Sequence, residues 1–109
     1  MGASKTEEFT VKDNKVARFA KALAHPARVA ILQVLIRKQA CICGDIVDEL
    51  PLSQSTVSQH LKELKDAGLI KGDIDGVKVN YCIDEREWAV ARSALSSLFD
   101  SYVNKKSCC

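Results

Sequence analysis

The chain has no long apolar run. No stretch approaches the ~18 residues that a membrane-spanning helix needs, and none has the pattern of a secretory signal. Met1, Gly2 and Thr6 fit a myristoylation pattern, but nothing else in the chain points to a membrane. Charge of one sign is not in excess either: 16 Lys and Arg face 14 Asp and Glu, for a net +2. Any claim on nucleic acid must therefore rest on where the basic residues lie. There is no glycine-rich phosphate loop and no base beside a cysteine in sequence, so an enzyme is not expected. Internal repeats and low-complexity segments are lacking too. Histidine is limited to His25 and His60.

What is present suits one folded domain spanning residues 1–109, with 47% hydrophobic and 28% charged residues. The chain carries five cysteines, Cys41, Cys43, Cys82, Cys108 and Cys109. Without a secretory signal they imply a reducing compartment, the cytoplasm, and thiol or metal chemistry rather than a disulfide framework.

Residues 53–69 read as one amphipathic helix. Ser53 suits the N-cap, because its hydroxyl can accept a first-turn N–H. Val57, Leu61 and Leu64 recur at helical spacing, and Gly68 ends the helix. With Val57 set inward, Ser55, Gln59 and Lys62 point outward, and Gln54 and Ser58 lie at the edges. Such a face is polar, short and rich in hydrogen-bonding groups. It can be a solvated surface, or it can enter a DNA major groove and reach base edges.

The rest of the chain favours DNA. A first helix is predicted over residues 7–24, with Val16, Phe19, Ala20 and Leu23 inward, broken by His25-Pro26. Pro26 starts a hub helix to residue 38, apolar at Val29, Ile31, Leu32, Leu35 and Ile36. Arg28 reads as a local capping or ion-pair partner. A short third helix is predicted at 45–50, ended by Pro51. It gives a helix-turn-helix over 45–67. The period then drops to two: a strand near 69–74 and Val77, Val79, Tyr81 and Ile83, joined at Asp75-Gly76, form a wing over 69–83. Asp84 and Glu87 make a capping-box pattern for a last helix over 84–104. It is striped by Trp88, Ala91, Leu95, Leu98, Phe99 and Tyr102. Residues 105–109 form a cysteine tail.

The predicted fold is mainly α with a small β-hairpin: a winged helix-turn-helix of five helices and a two-stranded wing. Lys62, Lys65, Lys71 and Lys78 supply phosphate contacts, of which Lys62 and Lys78 are the stronger candidates. The outer helices, 7–24 and 84–104, need a further apolar surface and so predict a homodimer. Two reading helices about one DNA turn, ~34 Å, apart then predict an imperfect inverted repeat as operator.

The segments AKALAHPARVAILQVL and ELPLSQSTVSQHLKELKDAGLIKGDIDGVKVNYCID resemble the ArsR/SmtB family of bacterial metal- and metalloid-responsive repressors, over residues 20–84. The resemblance implies a homodimeric repressor released from its operator by an inducer. It places base contacts at Gln54, Ser55, Ser58 and Gln59. His60 also matches, but near the apolar side of its wheel, so a structural ring bonded to backbone is expected. Cys41-Ile42-Cys43 resembles the family's C-x-C sensing pair, although Gly44 intervenes before Asp45. Two thiolates at this spacing can share a soft ion with a third. Cys108 and Cys109 are the candidate partners, and Cys82 is expected not to ligate. The family's alternative site of histidines and carboxylates on the last helix has no histidine here. As(III) or Sb(III) is the expected inducer, then Cd(II) or Pb(II). A redox- or persulfide-sensing repressor, with Cys41 or Cys43 joined to a tail cysteine, is the alternative.

Overall fold

The computed structural model describes residues 8–38, 50–73 and 80–103. They form four helices and two strands: α1 (Val11–Ala22), α2 (Pro26–Lys38), α3 (Gln54–Asp66), β1 (Ile70–Asp73), β2 (Asn80–Ile83) and α4 (Glu85–Asp100). The expectation of five helices is therefore corrected to four among the described residues. In the span assigned to a third helix, Leu50 stands in a bend ahead of Pro51, and 45–49 lie outside the described residues. A six-residue helix closes only about two i→i−4 bonds, too few to offset nucleation on its own.

Each helix boundary has a local cause. α1 starts later than the expected residue 7, because the Thr10 hydroxyl accepts the Asp13 N–H at 3.0 Å. α3 is capped by Ser53, whose hydroxyl accepts the Thr56 N–H at 3.3 Å. It ends in a Schellman turn: Leu69 N–H donates to Leu64 O (3.1 Å) and Gly68 N–H to Lys65 O (2.9 Å). Gly68 takes the left-handed φ of 93° that this turn requires. At α4 only half of the expected capping box forms. Asp84 accepts the Glu87 N–H at 3.2 Å, while the Asp84 N–H donates to Leu69 O at 3.0 Å. That bond joins the end of β2 to the start of β1. α4 closes at Asp100 rather than 104.

β1 and β2 are antiparallel, with Ile70 opposite Ile83 and Gly72 opposite Tyr81. The predicted turn at Asp75-Gly76 lies outside the described residues. Gly72 has φ 127°, and a Cβ there would stand 2.0 Å from Asn80 O. No other residue fits that close approach.

The core is one cluster. Phe19 of α1, Ile31 and Leu35 of α2, Val57, Leu61 and Leu64 of α3, and Leu69, Ile70 and Tyr81 from the wing are fully buried. α2 packs on both α3 and β2, while α1 packs on α4. The hub helix buries Val34 instead of Val29 and Ile36, which are 39% and 46% exposed. On α1 it is Ala22, not Ala20, that faces the core. On α4 only Ala91 is buried, Trp88 and Leu95 are partly covered, and Leu98 and Phe99 are exposed, as is Tyr102 just beyond the helix end.

Candidate nucleic-acid interface

α3 is held by one face and free on the other. Val57, Leu61 and Leu64 are sealed into the core. Gln54, Ser55, Gln59 and Lys62 are exposed, and Ser58 is half-buried. The side chains of Gln54 and Gln59 have no hydrogen-bond partner among the described residues, so their amides are available to an external ligand. Ser55 shares its hydroxyl with Ser53 at 3.2 Å, and Ser53 also donates to Thr56 Oγ1 at 2.9 Å. These bonds order the first turn of α3, where free N–H groups and the helix dipole favour phosphate.

The cap gives a direct test. Ser53→Ala removes the acceptor for the Thr56 N–H and is expected to cost about 1 kcal/mol of stability. Urea unfolding measures it, and Ser53→Asp is expected to restore most of the loss.

Sequence reasoning missed how α3 is fixed to the rest of the chain. Arg28 donates from Nε to His60 Nδ1 at 3.2 Å, and from Nη1 to the carbonyls of Lys21 (3.1 Å) and Ala22 (3.4 Å). Arg28 is therefore a capping residue, as expected, but it caps the end of α1 and reaches α3 as well. His60 takes a side-chain partner rather than the expected backbone one. Its ring lies 4.4 Å, centroid to centroid, from that of His25. Burial holds the His60 pKa below its ordinary value; the nearby His25 and Arg28 charges act in the same direction, and Glu63 opposes them. A 32-residue separation leaves no local pattern from which to read the Arg28–His60 pair.

The remaining expected site residues, Lys78, Cys41, Cys43, Cys108 and Cys109, lie outside the described residues. Among the described residues no three His, Cys, Asp or Glu side chains converge as a metal site. Cys82, in β2 opposite Lys71, is disulfide-bonded, with its partner outside the described residues. A sulfur in that state is not a thiolate ligand.

A capped helix seated on a hub helix by its apolar face and followed by a two-stranded wing defines a winged-helix transcriptional regulator. The sequence comparisons agree. The model of the arsR family of bacterial regulatory proteins matches residues 25–71. The transcriptional regulator CmtR of Mycobacterium tuberculosis is 33% identical over 85 residues, covering 78% of this chain and 71% of CmtR. The transcriptional repressor SmtB of the same organism is 42% identical over 69 residues, which is 63% of this chain. This chain spans only half the length of SmtB. The crystal structure of NolR from Sinorhizobium fredii superimposes with a TM-score of 0.60 at 28% identity, covering 91% of this chain and 94% of NolR. The chain belongs to the arsR family, whose members are regulators of transcription and not enzymes.

Proposed function

We propose that the protein is a cytoplasmic repressor that binds inverted-repeat operator DNA as a homodimer and releases it when cysteine thiolates take up a soft ion. The observation that carries the DNA reading is the one-sided burial of α3. Its apolar stripe is sealed, while Gln54, Ser55, Gln59 and Lys62 face outward, with Ser58 at the edge. Amide and hydroxyl side chains on a helix this size suit base edges in the major groove. Lys62, and Lys78 in the wing, add the phosphate attraction.

The dimer reading is supported by what the chain leaves uncovered. Phe9, Val11, Leu98, Phe99, Tyr102 and Val103 are 53–80% exposed around α1 and the end of α4. A single chain does not bury them, and a second copy would. Among the described residues no single helix is long and apolar enough to cross a membrane.

The inducer reading rests on the chemistry of Cys41 and Cys43, with Cys108 and Cys109 as further donors. Thiolates prefer soft, thiophilic ions, As(III) or Sb(III) first and Cd(II) or Pb(II) second. Arsenite added to the operator complex is expected to release the DNA. Cys41→Ser with Cys43→Ser is expected to bind DNA as before and to abolish the release. A double variant that still responds to arsenite refutes the thiolate mechanism.

The disulfide at Cys82 favours a second reading, a redox-responsive repressor of the same fold. Two thiols would lose two protons and two electrons to a peroxide or persulfide as the sulfur–sulfur bond forms. Release by peroxide with no metalloid present, lost in Cys82→Ser, would select this reading over the first.

A further inference from the structure

We infer that Arg28 and His60, with His25 beside them, form a proton-sensitive latch that positions α3 for DNA, closed when His60 is neutral and open when it is protonated. The inference rests on the reading of α3 as the DNA-contacting helix.

The hydrogen bond from Arg28 sets the protonation state of His60. A guanidinium carries only N–H donors, so His60 Nδ1 must accept from Arg28 Nε at 3.2 Å. The ring is then neutral, with its proton on Nε2. His25 Nδ1 accepts the Ala27 N–H at 3.0 Å, which holds the His25 ring in place beside that of His60. Protonating His60 puts a donor hydrogen on Nδ1, directly facing the Arg28 Nε–H. The bond is lost, and a second positive charge appears beside the guanidinium.

Arg28 cannot simply turn away, because its other arm holds two carbonyls at the end of α1, Lys21 O and Ala22 O. One guanidinium thus links α1, the start of α2 and the middle of α3. His60 follows Gln59 directly, so a change in the rotation of α3 at this point moves the outward amides. Arg28 from α2 and His25 from the α1–α2 corner disfavour the imidazolium, and Glu63, one turn along α3, favours it. Partial burial adds to the first two and is the largest contribution.

The sign follows from linkage. The folded chain holds the neutral ring more firmly than the unfolded chain does. Stability from the latch is complete above the ordinary histidine value of 6.5, and it is lost as pH falls from there through the lowered folded value.

The test compares wild type with His60→Asn and Arg28→Leu. An asparagine amide oxygen stands near the place of Nδ1 and accepts from Arg28 without titrating. Binding to a duplex of the chain's own promoter region, followed by fluorescence anisotropy, is expected to weaken roughly tenfold for wild type between pH 8 and pH 5.5. His60→Asn is expected to bind as wild type does at pH 8 and to change less than about twofold over the same range. Arg28→Leu is expected to bind more weakly at pH 8, with the pH difference gone. Nitrogen NMR of the His60 ring, without DNA, is expected to show an accepting Nδ1 at pH 8 that becomes a donor on acidification. Equal pH profiles for wild type and His60→Asn, tighter wild-type binding in acid, or a His60 proton on Nδ1 at pH 8 would overturn the latch. Absence of DNA binding at every pH, with the NMR transition intact, would instead refute the reading of α3.

Discussion

Replacing Gln54 and Gln59 together with alanine is expected to lower affinity for the operator by about 100-fold or more. An amide that pairs with two base atoms is worth ~1–3 kcal/mol of discrimination, and two such amides face outward on α3. The loss is specific. Lys62 and Lys78, the proposed phosphate contacts, are untouched by the change, so binding to scrambled DNA and its salt dependence are expected to stay as they were. The fold is also expected to hold. Both positions are exposed and lack partners among the described residues, and alanine favours the helix more than glutamine does. Anisotropy against operator and scrambled duplexes at several salt concentrations measures all three expectations. An equal loss on both duplexes would mean that α3 does not read bases.

Phe19→Ala is expected to cost about 3–5 kcal/mol, a large part of the ~5–15 kcal/mol that holds a domain together. Phe19 is fully buried and is the largest contribution of α1 to the common core. Its loss leaves a cavity against neighbours from other helices that cannot all relax into it. The urea midpoint is expected to fall steeply with the m-value unchanged. Phe99 supplies the contrast. It is 73% exposed in the single chain, so Phe99→Ala is expected to leave the monomer's stability within ~0.5 kcal/mol. In the proposed dimer it is expected to weaken self-association, which sedimentation reads.

The boundaries that were legible in the sequence are those with a cause within four residues. Ser53 caps α3, Gly68 ends it and Asp84 opens α4, each through a bond to a near neighbour, and Pro26 opens α2 through its fixed φ. The change of period from 3.6 to 2 located the wing for the same reason. The Thr10 cap has a local cause as well, in the Asp13 N–H three residues on, and it starts α1 at Val11 rather than at the expected residue 7. Of the helix expected at 45–50 only Leu50 is described, and it stands in a bend ahead of Pro51; residues 45–49 lie outside the described residues.

Long-range relations were out of reach. Arg28 and His60 stand 32 residues apart, and nothing in either neighbourhood announces the other. The disulfide at Cys82 was invisible for a related reason. Alternation along a strand says which face a residue occupies, not which thiol the fold brings to it. On the outward face of α3 the wheel puts Ser55, Gln59 and Lys62 outward and Gln54 and Ser58 at the edges; the structure exposes Gln54 as fully as the first three and leaves Ser58 half-buried. That face was legible because a single period governs both sides of one helix.

The most direct measurement of the central claim is an anisotropy titration of reduced wild-type protein on an inverted-repeat duplex and on its scrambled counterpart. Parallel samples would contain arsenite, Cd(II), Zn(II) or peroxide. Tight binding to the inverted repeat at two chains per duplex, much weaker binding to the scramble, and release by arsenite in preference to Zn(II) are expected. Equal affinity for both duplexes in the apo reduced state would contradict the claim.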